Sequence, residues 1–118
     1  DEAIKRAKKY IESGADGIMI HSNKKSPKEI FDFCKMYNLI KNKKPLVVVP
    51  STYNSVYEKQ LVSNNVSIVI YANQLIRSAF PAMVATATSI LKHGRSMEAD
   101  NSMMPISEIV ELIPNKNG

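Results

Sequence analysis

The chain has 118 residues, 44% of them hydrophobic and 23% charged, with a formal net charge of +5. That length suffices for one small domain burying roughly two-thirds of its unfolded surface, and no apolar run approaches the ~20 residues that span a bilayer. A lone cysteine, Cys34, excludes an internal disulfide and a cysteine-built zinc site; the scattered lysines, scarce arginines and lack of interleaved aromatics argue against a nucleic-acid platform.

Residues 1–13 place Ala3, Ile4, Ala7, Tyr10 and Ile11 on one side of a helix, with Asp1 and Glu2 at its positive end. The chain enters this helix at once, without an initiator methionine or signal peptide, and is therefore expected to start inside a larger domain. Gly14 suits a left-handed helix stop. A strand over about 17–21 follows, whose continuous apolar run Ile18-Met19-Ile20 predicts cover on both faces, as in a parallel sheet.

Ser26-Pro27-Lys28-Glu29 predicts a helix start with Ser26 as N-cap, Pro27 in the first turn and Glu29 as reciprocal cap. This helix runs to about Tyr37, burying Ile30, Phe31, Phe33, Cys34 and Tyr37. After Lys44-Pro45 comes a second strand, Leu46 to Val49, ending at Pro50. The polar turn Ser51-Thr52-Tyr53-Asn54-Ser55 leads to a weaker helix around 56–63, ended by Asn64-Asn65. The third strand is Val66 to Tyr71.

From Gln74 to about Lys92 a helical pattern carries Leu75, Ala79, Met83, Val84, Ala87, Ile90 and Leu91 on one side, and Pro81 predicts a kink or restart within it. His93-Gly94 ends it. A polar stretch, 95–101, precedes a short helix at about 106–112 that Pro114 closes. Strands thus recur with the rhythm of βα units, which predicts a parallel α/β sheet; three such strands alone leave two open edges, so a larger sheet or a barrel is expected.

Chemistry in such folds gathers at the carboxyl ends of strands. Here those ends are His21-Ser22, Pro50-Ser51-Thr52 and Ala72-Asn73-Gln74. The set offers an imidazole, hydroxyls and amides suited to an anion, but no carboxylate pair, metal cluster or serine–histidine–aspartate order. His21 either donates to a phosphoryl or carboxylate oxygen or caps the strand end. Ser51 and Thr52 read as turn residues, Asn73 as a helix start and His93 as a residue suited to the negative helix end. Arg77 reaches either an anion or a surface carboxylate.

Three stretches, 14–22, 45–53 and 69–79, with Glu98-Ala99-Asp100 and Met104 to Ile109 behind them, resemble the phosphoenolpyruvate mutase family, a branch of the isocitrate lyase and phosphoenolpyruvate mutase superfamily of α/β barrels. The resemblance extends from Asp1 to about Pro114. It implies that residues 1–118 are the C-terminal portion of a single barrel domain: a partial (β/α)8 TIM barrel supplying strands six to eight with their helices, where a whole barrel takes about 250 residues. It implies a homo-oligomer, usually a tetramer with the last helix exchanged between subunits, and the lone cysteine fits a reducing, cytoplasmic setting.

The implied activity is intramolecular phosphoryl transfer between the enol oxygen of phosphoenolpyruvate and the methylene carbon of phosphonopyruvate, with magnesium as cofactor. By resemblance His21 is the active-site histidine that contacts substrate; Ser22, Asn73 and Arg77 match family motifs as further substrate-binding residues. The family's nucleophilic aspartate, magnesium ligands and gating loop all precede the first residue here, so this piece alone is expected to be inactive. The alternative is phosphonopyruvate hydrolase, which passes the phosphoryl group to water; the segment 72–83 looks nearer to bacterial mutases. A reading from another class is a non-catalytic α/β binding or assembly module.

Overall fold

The computed structural model describes residues 2–112; Asp1 and Pro114, to which the sequence assigns capping roles, lie outside them. The chain forms two compact units, Asp1–Asn73 and Gln74–Gly118.

In the first unit, α1 (Glu2–Glu12) leads to β1 (Ile18–Ile20), α2 (Lys28–Tyr37), β2 (Leu46–Val48), α3 (Glu58–Ser63) and β3 (Ile68–Val69). Gly14 closes α1 with φ +95°, as its lack of a Cβ permits. The strands form one sheet in the order β1-β2-β3, all parallel, with Ile18 opposite Leu46, Ile20 opposite Val48 and Val48 opposite Val69.

Alternation along the strands divides the sheet into two unlike faces. Ile18, Leu46 and Val48 turn inward, joining Ala7, Ile30, Phe33, Cys34, Tyr37, Tyr53, Leu61 and Val66 in one buried core. Met19, Val47 and Ile68 fall in register on the other face, and there Met19 is 58% and Ile68 49% exposed. The apolar run therefore does not mean cover on both faces of this chain. Within the first unit the helical layer buries only one side, and the second face stays apolar and open.

Side-chain bonds fix the connections. The Tyr37 hydroxyl donates to the Lys44 carbonyl at 2.9 Å and accepts from the Lys44 N–H at 3.1 Å, which seats the turn before β2. Ser67 Oγ accepts from the Leu46 N–H at 3.2 Å. The Gln60 side chain accepts from the Tyr57 N–H at the start of α3, and Asn65, at φ 59°, ends that helix.

In the second unit, α4 (Gln74–His93) is followed by a 3-10 turn over Met97–Ser102 and by α5 (Ile106–Glu111). The restart expected at Pro81 is absent: α4 runs through it. A proline inside a helix deletes one backbone bond, and the uninterrupted turns on either side hold the helix together. Gly94, at φ 67°, terminates it. No residue of α4 is buried. No described helix is long and apolar enough to cross a membrane.

Candidate functional site

Because the strands are parallel, their carboxyl ends lie along one edge of the sheet. One residue beyond the paired row Ile20–Val48–Val69, the chain reaches His21, Val49 and Ile70. His21 is exposed, and its ring lies 6.5 Å from that of Tyr53, centroid to centroid, with the planes tilted by 48°. The loops after β1 and β2 therefore meet through these two side chains. Tyr53 was not singled out by the sequence, although an aromatic residue in a polar turn is a cue for burial.

His21 and Met19 also line an open cleft of about 460 Å³, together with Arg6 and Tyr10 of α1. This cleft follows the unpaired side of β1 rather than the row of strand ends, so His21 sits where the two surfaces join.

Tyr53 is fully buried, yet its hydroxyl makes no hydrogen bond of ordinary geometry, and neither does the buried Ser51 Oγ. Burial pushes the Tyr53 phenol up from its usual ionisation range; the adjacent Val49 backbone offsets this in part, and the Cys34 thiol adds to the rise. Both hydroxyls lie in the turn that follows β2.

Among the described residues, Ser22 is the one buried polar residue outside the apolar core. Its hydroxyl donates to Glu29 Oε2 at 2.9 Å and accepts from the Lys24 N–H at 3.2 Å. Lys24 Nζ also bonds Glu29 Oε1. Lys24 first, and Ser22 next, hold the Glu29 carboxyl below its ordinary range. The cap expected of Ser26 and Glu29 is consequently different. Pro27 occupies the cap position without a side-chain bond, Ser26 Oγ only reaches the Lys28 N–H at 3.4 Å, and Glu29 turns to the β1 loop. A carboxylate bonded to an ammonium and a buried hydroxyl gains more than one bonded to a solvated amide.

Asn73 is half-buried and immediately precedes α4. Arg77 belongs to the second unit, exposed in the first turn of α4. The geometry thus joins His21, Ser22 and the β2 turn in the first unit, with Asn73 at the end of the β3 segment. Among the described residues, no group of three or more His, Cys, Asp or Glu could hold a metal ion. The donor set present is one of imidazole, hydroxyl and amide groups, which does not fit a magnesium site.

The family model described as phosphoenolpyruvate phosphomutase matches residues 1–91. The phosphonopyruvate hydrolase of Variovorax sp. (strain Pal2) is 39% identical over 112 residues, covering 94% of this chain and 38% of that protein. A crystal structure of a phosphoenolpyruvate phosphomutase from Streptomyces platensis subsp. rosaceus superposes with a TM-score of 0.85 at 33% identity, over 95% of this chain and 38% of the other. A structure of phosphonopyruvate hydrolase in complex with oxalate and Mg2+ gives 0.80 at 39% identity, over 94% of this chain and 38% of the other. The chain spans a little over a third of the length of these relatives.

Proposed function

Since the chain belongs to the phosphoenolpyruvate phosphomutase family, we propose that it forms strands six to eight of a (β/α)8 barrel and carries part of a site that interconverts phosphoenolpyruvate and phosphonopyruvate. In that reaction the phosphorus–oxygen bond to the enol breaks and a phosphorus–carbon bond to the methylene carbon forms, both within one substrate. The open apolar face of Met19, Val47 and Ile68 supports the barrel reading: side chains of that kind fill a barrel interior in layers. The single observation carrying the functional reading is His21, exposed past the carboxyl end of β1 and braced by Tyr53.

Phosphoryl transfer runs through a loose, metaphosphate-like state in most analyses, so the protein's share is positioning and charge stabilisation. His21 donates a hydrogen bond to a phosphoryl or carboxylate oxygen, and Asn73 supplies a further donor to the anionic substrate. Ser22, matched to the same family motif, holds the strand end beside them. Magnesium, bound in the hydrolase complex with oxalate, has no ligand set among the described residues, and its ligands would come from outside them. The exposed apolar side chains of α4, Leu75 and Leu91 among them, support an assembly in which neighbouring subunits cover that helix.

A second reading is supported by the 39% identity to the Variovorax hydrolase: the same site passes the phosphoryl group to water. Phosphorus NMR of the complete enzyme supplied with phosphonopyruvate separates the two. Phosphoenolpyruvate as product is the expected result, free phosphate identifies the hydrolase, and an unchanged substrate signal overturns both.

A further inference from the structure

We propose that Glu29 is a positioning residue that, through the hydroxyl of Ser22, fixes the loop carrying His21, so that Ser22 acts as an anchor of the site rather than as a donor to substrate. The inference deepens the phosphoryl-transfer reading and rests on it.

A serine hydroxyl has one proton to give. In Ser22 that proton goes to Glu29 Oε2 at 2.9 Å, and one lone pair accepts the Lys24 N–H at 3.2 Å. A phosphoryl or carboxylate oxygen only accepts, so it finds no donor left on Ser22. The residue is also 6% exposed, beneath its loop rather than open to a ligand beside it. His21, its immediate neighbour, is exposed.

Glu29 lies in the first turn of α2, whose Ile30, Phe33, Cys34 and Tyr37 are buried in the core. The carboxylate is thus mounted on a packed helix while its two partners, the Ser22 hydroxyl and the Lys24 ammonium, belong to the irregular segment after β1, where the Lys24 amide in turn holds the Ser22 hydroxyl. Rigid element and loop are joined at one point. A catalytic group on a loop reaches working precision only when such support fixes it, and small displacements carry large kinetic losses.

The test uses the complete enzyme carrying this chain, as Glu29→Ala, Glu29→Gln and Ser22→Ala variants. It reads steady-state kinetics with phosphonopyruvate and hydrogen exchange of the segment 21–27, with exchange in α1 and β2 as the folding control. Glu29→Ala and Ser22→Ala are expected to lower kcat about 10-fold or more with KM little changed, and to speed exchange in 21–27 alone. Glu29→Gln keeps an oxygen for the Ser22 hydroxyl and is expected to recover most of both losses. Wild-type kcat in Glu29→Ala, unaltered exchange, or a glutamine variant as impaired as the alanine one would each overturn the proposal. Should the unmutated enzyme leave phosphonopyruvate untouched, the phosphoryl-transfer reading falls by itself, and the exchange data alone decide whether Glu29 holds the loop.

Discussion

The His21 imidazole and the Tyr53 phenol ring face each other at 6.5 Å with a 48° tilt, within the range in which aromatic pairs attract. One is open to solvent and the other wholly buried. The β2 turn therefore gives the exposed ring a rigid back support, tied through Tyr53 to the core beneath α2.

Replacing His21 by alanine in the complete enzyme is expected to reduce turnover strongly, on the order of 100-fold for the loss of one preorganised donor. Its side chain is exposed and takes no part in the buried core, so circular dichroism and sedimentation should match the parent. Near-normal turnover would remove the residue from the reaction.

Tyr53→Phe removes a buried hydroxyl that has only the Val49 backbone beside it and makes no hydrogen bond of ordinary geometry, while retaining the ring that packs on His21. The substitution is expected to leave stability unchanged or raise it by on the order of 1 kcal/mol, because an unsatisfied group costs desolvation without return. A urea midpoint that falls clearly below the parent value would show that the hydroxyl has a partner after all.

Alkaline conditions should weaken the fold in a defined order. Burial pushes Cys34 up from 9.0 and Tyr37 up from 10.0, as it does Tyr53. The unfolded chain therefore releases these protons first, and stability, full below about pH 9, declines as pH rises through the unfolded-state values and on toward the raised folded ones. Denaturant midpoints should be flat from pH 7 to 8.5 and then drop; in Cys34→Ala the earliest part of that drop should disappear. A midpoint independent of pH up to 10.5 would count against it.

Leu61 is the one buried residue of α3, so that helix is held to the core chiefly by a single side chain. Leu61→Ala is expected to cost about 2–5 kcal/mol, with faster hydrogen exchange in 58–66 than elsewhere. A uniform change across the first unit would mean that α3 unfolds only with the rest of it.

Much of the fold was legible because local signals agreed with long-range ones. The spacing of Ala7 and Ile11, the positive φ of Gly14 and the β-branched run before Pro50 all lead to elements found near their expected places. Strand lengths were overestimated, most in β3, where regular strand covers only Ile68 and Val69, although the flanking Ser67 and Ile70 amides still donate to the Leu46 and Val48 carbonyls. Hydrogen-bond register decides where a ladder ends, and no propensity at Val66 or Tyr71 encodes that. Of the site, His21 was legible from its place after an apolar run. Glu29 was misread as a cap because the Ser-Pro-Lys-Glu pattern is local, whereas its actual partners, Ser22 and Lys24, come from the preceding loop. The burial of Tyr53 depends on contacts with α2 that a sequence window around a polar turn does not contain.

The two flanks of the sheet are not equivalent. The Ile18 N–H is spent on the Pro45 carbonyl, so alternation directs the Met19 amide and carbonyl outward, where no described strand meets them. β3 offers a ladder of only two residues on its side, a poor template for recruiting another chain. Any unwanted sheet growth, whether by swapping or by aggregation at high concentration, should thus proceed from the β1 flank.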